Sequence, residues 1–392
     1  MSRFRIEILL YAARTISNVG SWFAFLVIAI RLNESYGSEY VVFNFLIQGL
    51  PPLFLADRVS KILRSGANLQ FFVFLNLIAA INVGLLFWND GLISIFIYSV
   101  INSSVSCFTN PIFNNFIGFF CARERWQEVH KNIGAINASV LAIAPVVGGW
   151  LASVYGSSLL YLLNSLGFLI AAVILLPLFK QESKKPKSSL HSDDNPSASS
   201  LFDFQSAPKA LRSVLLVFIG SLILGGVFNG LEFAVFKHYS FDKEAIGFIL
   251  GAWGLGNLFT IFVPIQKFDR LGIGLMSALL SFAFMYFCWN SHFFLAVALF
   301  VLAGSVNAVL TGKLRGLIQH SIQDDMSSIS VWSKLNKYVS VTNIGCYAVC
   351  GLSLHYLQFE KSRYLIILAS LIFLMLVYRM GAEEFYSTDE PS

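Results

Sequence analysis

The chain of 392 residues is 56% hydrophobic and only 12% charged, with a formal net charge of +5 at pH 7. Soluble domains average about 45–50% apolar residues and about 25% charged residues, so this composition excludes an ordinary soluble fold. Lipid is therefore the expected solvent for most of the chain.

Apolar runs of about 20 residues, the length at which a helix crosses a bilayer, recur along the whole sequence. They predict twelve spans, near 7–31, 39–56, 67–88, 92–117, 132–153, 157–179, 210–236, 245–265, 272–289, 293–312, 333–357 and 363–379. Strands of a membrane barrel would alternate in character over about ten residues, whereas these runs are continuous and about twice as long. The sequence thus predicts an all-α membrane protein with twelve transmembrane helices.

The first apolar run is predicted to remain as a span and not to be removed as a signal peptide, since it carries Arg14 and lacks a small-x-small cleavage site. With the N-terminus in the cytoplasm, that side holds Arg3, Arg58, the basic cluster at 184–187 and Arg379, and the opposite side retains few basic residues. The positive-inside bias therefore places both termini in the cytoplasm, as an even number of spans requires.

One long polar stretch divides the chain near its midpoint. Residues 180–208 are rich in Ser, Pro, Lys and Asp, with too few apolar residues to offset the entropy of ordering, which predicts a cytoplasmic linker. The linker separates two six-helix halves, 1–179 and 209–380, and a disordered cytoplasmic tail is expected over 381–392. Its basic start can lie against anionic headgroups, or the whole segment can be a passive tether.

The two halves share a weak internal repeat. The pair Asp57-Arg58 follows span two, and the pair Asp269-Arg270 follows span eight. Basic clusters also follow spans four and ten. Such a repeat is typical of membrane transporters that arose by duplication of one helical unit.

Polar side chains recur at spacings of three and four inside several spans, which places each set on one face of its helix. Charged and amide groups are costly in hydrocarbon, so each set should face a cavity or a partner. The candidate cavity residues of spans one, four, seven and ten are Arg14, Asn18, Asn102, Ser106, Asn110, Asn114, Asn229, Asn307, Thr311 and Arg315. The alternative is that these amides and hydroxyls hold neighbouring helices together.

Glu232 is the one carboxylate that the sequence places well inside a span, toward the outer end of span seven. Burial disfavours the charged form of a carboxyl group, so Glu232 is the candidate for proton coupling. The alternative is that it pairs with a nearby cation such as Lys237. Because basic residues outnumber it, the cavity is expected to suit an anionic, polar substrate.

Several motifs resemble those of the major facilitator superfamily. Leu55-Ala56-Asp57-Arg58 with Lys61 is similar to the loop signature between helices two and three, although Leu53 and Ser60 stand where the family has glycines. Pro145, Gly148 and Gly149 match the antiporter motif of helix five. With Ala13-Arg14-Thr15-Ile16-Ser17 and the segment 319–326, they resemble the branch of enterobactin-exporter-like and macrolide-efflux-like facilitators.

The resemblance implies a major facilitator fold that works by alternating access, with a charged latch at the cytoplasmic gate. The residues it assigns to the latch are Asp57 with Arg58, Lys61, Arg123 and Arg125, and the shorter repeat adds Asp269 and Arg270. The alternative is an ordinary charged loop that only sets topology. The helix-five motif implies a kink and a small-residue face along which helices can slide closely.

The function expected from the sequence is secondary active transport of a small organic solute, namely a siderophore, a drug-like molecule or an anionic metabolite. Proton-coupled export across the bacterial inner membrane is the first expectation. Import of siderophores, flipping of lysolipids, and a non-transporting sensor or assembly role on the same scaffold remain open. Membrane lipid and an ion gradient are the expected partners of a monomer.

Other classes of function find no support in the sequence. Without a Gly-x-x-x-x-Gly-Lys-Ser/Thr motif, ATP-driven pumping by this chain is not expected. The histidines are scattered, so we expect neither an enzyme nor a metal site. We also expect no cofactor and no nucleic-acid partner. The pair Cys346/Cys350 can in principle ligate a soft metal, but it is interpreted as two small buried apolar residues.

Overall fold

The computed structural model describes residues 3–63, 69–121, 126–178, 209–260, 270–321 and 325–385. Within these ranges the chain forms twelve α-helices and no strand. They are α1 (Arg3–Ser35), α2 (Ser38–Leu63), α3 (Leu69–Leu85), α4 (Leu92–Phe120), α5 (Trp126–Tyr155), α6 (Ser157–Leu175), α7 (Lys209–His238), α8 (Lys243–Phe259), α9 (Arg270–Cys288), α10 (Phe293–Ser321), α11 (Asp325–Ser362) and α12 (Tyr364–Phe385). The all-α, twelve-helix prediction is confirmed.

Length and composition decide which of these helices can cross a membrane unaided. In the described ranges seven helices are long and apolar enough to do so. The segments Lys337–Ser362 and Tyr364–Met380 meet at 89°, and they add an eighth span if they are counted as one. The described parts of α3 and α8, which border undescribed residues, are each 17 residues long, at the lower end of the range that spans a bilayer.

The packing of the helices repeats with an offset of six. Helix α1 packs on α4, α5 and α6, and α7 packs on α10, α11 and α12. Helix α3 contacts α4 and α6, and in the same way α9 contacts α10 and α12. The same arrangement built twice supports the duplication that the sequence indicates.

A hydrogen bond from a serine hydroxyl to a neighbouring helix occurs at equivalent positions of the two six-helix repeats. Ser103 on α4 donates to the main-chain carbonyl of Gln48 on α2 at 2.5 Å, and Ser305 on α10 donates to that of Gly256 on α8 at 3.0 Å. The Gln48 carbonyl needs this donor because Pro52, four residues later, has no N–H to give it. Ser103 therefore satisfies the acceptor that a proline inside α2 leaves free.

The contacts divide the chain into two compact units. The first comprises Met1–Tyr36, Ile47–Asp193 and Asp242–Gly254, and the second comprises Gly37–Leu46, Asp194–Phe241 and Leu255–Ser392. The start of α8 thus counts with the first unit and the start of α2 with the second. The predicted linker at 180–208 lies outside the described residues, and α12 continues to Phe385, five residues into the expected tail.

The first unit is held together by close helix packing and by ion pairs, among them Arg31–Asp90 and the longer Lys243–Glu34. Gly20 on α1 faces Asn164 on α6, where a Cβ would lie 2.6 Å from the Asn164 Oδ1, so only glycine permits this approach. At the far end of α1, Arg31 holds Asp90 with two nitrogens, Nε at 3.0 Å and Nη2 at 3.1 Å. This pair fixes the end of α1 to the turn between α3 and α4.

The second unit has an aromatic core. Phe228 on α7 stacks on Phe284 of α9, with ring centroids 3.8 Å apart and an interplanar angle of 7°. Phe287 and Phe300 pack around the same ring from α9 and α10. Offset and edge contacts of this kind stabilise aromatic pairs beyond the apolar area that they bury.

Candidate functional site

A cavity of about 230 Å³ lies inside the first unit, between α1, α3, α4 and α6. Five of the residues predicted from the polar stripes line it: Arg14 and Asn18 on α1, and Asn102, Ser106 and Asn110 on α4. Their helical spacing puts each set on one face, and the packing of α1 against α4 brings the two faces together.

Arg14 is the only charged residue among the described side chains that line the cavity. Its Nη1 donates to the Oδ1 of Asn110 at 2.9 Å, and its guanidinium carbon lies 5.5 Å from the ring centroid of Phe113. Its Nε is buried and has no hydrogen-bond acceptor. The Arg14 guanidinium thus contacts one amide and one aromatic ring, and its Nε–H donates no hydrogen bond.

Asn18 supports in part the alternative that the polar side chains of the spans hold neighbouring helices together. Its Nδ2 donates to the Oδ1 of Asn137 on α5 at 2.5 Å, a contact that ties α1 to α5. The hydroxyl of Ser21, the next polar residue of the stripe, donates to the carbonyl of Ser17 on its own helix. One face of α1 therefore both lines the cavity and bonds to a neighbouring helix.

The polar stripes did not reveal the other two walls of the cavity. Phe72 and Asn76 come from α3, and Phe168 comes from α6. Asn76 is buried and spends its Nδ2 on the carbonyl of Phe72 at 2.8 Å. Asn76 is one of three amide residues in α3, with Gln70 and Asn82, and nothing in the sequence marks it as the one that lines the cavity. Likewise, nothing in the sequence distinguishes Phe168 from the other aromatic residues.

The remaining stripe residues lie in the second unit or outside the description. Asn229 and Glu232 are on α7, and Asn307, Thr311 and Arg315 are on α10. Glu232 is buried, with 6% of its surface exposed, whereas Asn229 and Arg315 are exposed. The backbone of Asn114 is helical in α4, and its side chain is not among those described.

The predicted latch residues fall at the margins of the described ranges. Asp57, Arg58 and Lys61 have helical backbones, because α2 runs on to Leu63 instead of ending before them. Arg270 is the first residue of α9. Arg123, Arg125 and Asp269 lie outside the described residues, and the side chains of the other four are not described, so the latch stays a prediction.

The helix-five motif packs against the start of α8 within the first unit. A Cβ on Gly149 would lie 2.5 Å from the carbonyl oxygen of Lys243, and a Cβ on Gly247 would meet the carbonyl of Pro145. Gly148 faces α1, where a Cβ would lie 3.1 Å from the ring of Phe23. Gly247, with further glycines of α8, completes a small-residue contact that the motif by itself does not reveal.

The structure offers no metal site in its described part. No group of three His, Cys, Asp or Glu side chains there is placed to hold an ion. Cys346 and Cys350 on α11 instead face α7, where their thiols lie 3.7 and 3.8 Å from main-chain carbonyls. Gly230 of α7 packs directly on Cys350, as expected of a small buried residue.

Comparison with known proteins identifies the architecture. The family model described as Major Facilitator Superfamily matches residues 10–353. None of the curated proteins matches the sequence.

Solved structures share the fold over nearly their whole length. A bacterial homologue of the iron transporter ferroportin, in its inward-facing state, has 17% identity and a TM-score of 0.73, over 96% of this chain and all of that one. The POT family transporter PepTSo has 10% identity and a TM-score of 0.77, over 100% and 99% of the two chains. The nucleoside transporter NupG has 13% identity and a TM-score of 0.70, over 97% and 99%.

Proposed function

Because the chain belongs to the major facilitator superfamily, we propose that it is a secondary active transporter that moves a small organic solute across a bacterial cytoplasmic membrane by alternating access. The observation that carries this proposal is the cavity beside Arg14, a polar space inside an otherwise apolar helical unit. Intramembrane charge of this kind marks substrate pathways in membrane proteins. We place both termini in the cytoplasm and expect a monomer.

The chemistry of the cavity favours an anionic metabolite over a metal ion. Divalent cations bind to carboxylate and carbonyl oxygens, imidazoles or thiolates. The described residues that line this cavity include one arginine with several amides and hydroxyls, and none of them is Asp, Glu, His or Cys. An iron cargo like that named for the ferroportin homologue would meet a positive charge and no anionic ligand.

The volume of the cavity limits how large a substrate it can hold. Sites for drug-sized ligands measure about 300–1,000 Å³. At about 230 Å³ this cavity holds a smaller molecule, or only one group of a siderophore. Its polar lining also favours a water-soluble solute over a lysolipid. Because side chains do not fill the cavity, we favour transport over a sensor role on the same scaffold.

Proton coupling is assigned to Glu232. Its side chain is almost fully buried on α7, in a span, where a carboxyl group must be neutralised or paired. Protonation from one side of the membrane and release to the other would couple a pH gradient to the cycle. Resemblance to the exporter branch of the family makes export the direction we propose.

The test is transport by purified protein in liposomes with an imposed pH gradient. The Glu232→Gln variant keeps the shape of the side chain and cannot carry a proton, so pH-driven transport should be lost. Exchange of substrate without a gradient should survive. Glu34→Gln, which removes a half-exposed acid that only pairs with Lys243 at the surface, at 3.5 Å, is the control and should transport normally. Unchanged pH-driven transport in Glu232→Gln would remove the coupling role.

The direction and the solute are found by comparing cells with and without the gene. Accumulation of one metabolite inside the deletion strain, reversed by the intact gene, supports export. Failure of the deletion strain to use an external compound, with normal internal levels, means import instead. Growth with and without iron shows whether that compound is a siderophore.

A further inference from the structure

Arg14 and Arg31 lie on the same helix, and the structure treats them differently. Arg31 presents its Nε and Nη2 to both oxygens of Asp90, at 3.0 and 3.1 Å, as arginine does in a two-point ion pair. Arg14 donates its Nη1 to the neutral amide oxygen of Asn110. The Nε atoms of both arginines are buried without a well-aligned hydrogen bond, but that of Arg31 lies 3.0 Å from a carboxylate oxygen. The equivalent edge of Arg14 therefore has no carboxylate from the protein.

The described walls of the cavity do not supply the missing negative charge. Among the described residues that line the cavity none is acidic. The lining instead includes Asn102, Ser106 and Thr109, whose neutral amide and hydroxyl groups can donate hydrogen bonds to an anion. A guanidinium inside a membrane-spanning unit is costly unless it is paired, so the partner is expected to come from outside the protein.

Beside its polar groups, the cavity has aromatic rings in its wall. Phe72 and Phe168 form part of its wall, from α3 and α6. An apolar cavity of about 150 Å³ is known to hold a benzene molecule. The cavity here, at about 230 Å³, has room for one ring together with a carboxylate group.

We propose that this cavity binds a small ring-bearing carboxylate, with its carboxylate on the free edge of Arg14 and its ring against Phe72 and Phe168. This requires the Arg14 side chain to turn toward the ligand, because its Nε is buried in the structure. This inference rests on the proposed transport function and specifies its substrate class. In this complex the substrate carries the negative charge, and the guanidinium of Arg14 neutralises it.

Binding to the purified full-length protein tests the proposal without any need for transport. The probes are benzoate, its neutral amide benzamide, and acetate, which has the charge without the ring, each titrated by ligand-observed NMR. Benzoate should bind at least about tenfold more tightly than benzamide, the factor expected for hydrogen bonds to a charged group. Acetate should also bind more weakly than benzoate because it lacks the ring.

Variants on one helix locate the effect. Arg14→Gln should lower benzoate affinity to the level of benzamide, and Arg31→Gln should leave the preference for the acid unchanged. If Arg14→Gln does not fold, Arg14→Lys decides the matter, since it keeps the charge and loses the two-point geometry. It should bind benzoate more weakly than the wild type and still prefer the acid to the amide.

Three results would overturn the inference: equal binding of benzoate and benzamide, an acid preference that survives in Arg14→Gln, or Fe²⁺ protecting the protein against thermal unfolding where benzoate does not. Transport in liposomes separates this outcome from the broader proposal. A protein that transports a solute yet shows no acid preference refutes only the substrate class. A protein that binds benzoate through Arg14 yet transports nothing refutes the transport function.

Discussion

Replacing Gly149 by alanine is expected to strain the contact between α5 and the start of α8. The new Cβ would lie 2.5 Å from the carbonyl oxygen of Lys243 and 3.1 Å from the Cα of Gly247. Both are main-chain atoms, so neither can swing away as the end of a side chain would. The two helices must move apart instead, and overpacking of this kind costs about 1–3 kcal/mol.

Gly134 provides the matched control, because it lies on the same helix and a Cβ there would meet no heavy atom within 4 Å. Alanine is the better helix former by about 0.5–1 kcal/mol, and both variants gain this amount. The difference between Gly149→Ala and Gly134→Ala therefore isolates the steric cost. Gly134→Ala should be at least as stable as the wild type, and Gly149→Ala should be less stable than Gly134→Ala by about 1–3 kcal/mol.

Thermal unfolding of the three proteins in one detergent, followed by tryptophan fluorescence, measures this order. A common scan rate is needed because membrane proteins of this size often unfold irreversibly, which makes the midpoint depend on the rate. Equal midpoints for the two variants would show that α5 and α8 do not approach at backbone distance. The small-residue contact would then have no structural basis.

Two further substitutions test the packing of the first unit. Ser103→Ala removes the donor to the α2 carbonyl freed by a proline, so it should cost about 1–3 kcal/mol of unfolding free energy, whereas Ser104→Ala, on the exposed side of α4, should cost little. Asp90→Asn breaks the pair with Arg31, which is partly exposed, so it should cost about 1 kcal/mol or less and the loss should shrink in high salt. Thermal unfolding at low and high salt measures both, and a Ser103→Ala variant as stable as Ser104→Ala would contradict the first.

The twelve helices could be predicted because each rests on a local property of the chain. A run of about 20 apolar residues in lipid must satisfy its own backbone hydrogen bonds, and a helix does so without any partner. Some helices run on beyond the apolar spans, as where α2 continues past Asp57 to Leu63. Charged residues lower the hydropathy that marks a span, yet they do not end a helix.

The sequence predicted the positions of polar residues on their helices better than it predicted their roles. Helical spacing put Arg14 and Asn18 on one face of α1, which the structure reproduces. It did not show that Asn18 spends its amide on Asn137, more than a hundred residues away, while Arg14 keeps an unused Nε. Whether an amide holds helices together or lines a cavity depends on what faces it, and periodicity carries no information about the facing helix.

The sequence by itself determined that this protein is a twelve-helix membrane protein of duplicated design, because apolar length and polar spacing act along a single helix. Only the tertiary structure decided that Phe72, Asn76 and Phe168 complete a cavity with Arg14, and that glycines of α8 meet the helix-five motif. These contacts join residues far apart in the chain, and their distances follow from how whole helices pack. The charge that the cavity leaves unpaired is visible only once every wall is in place.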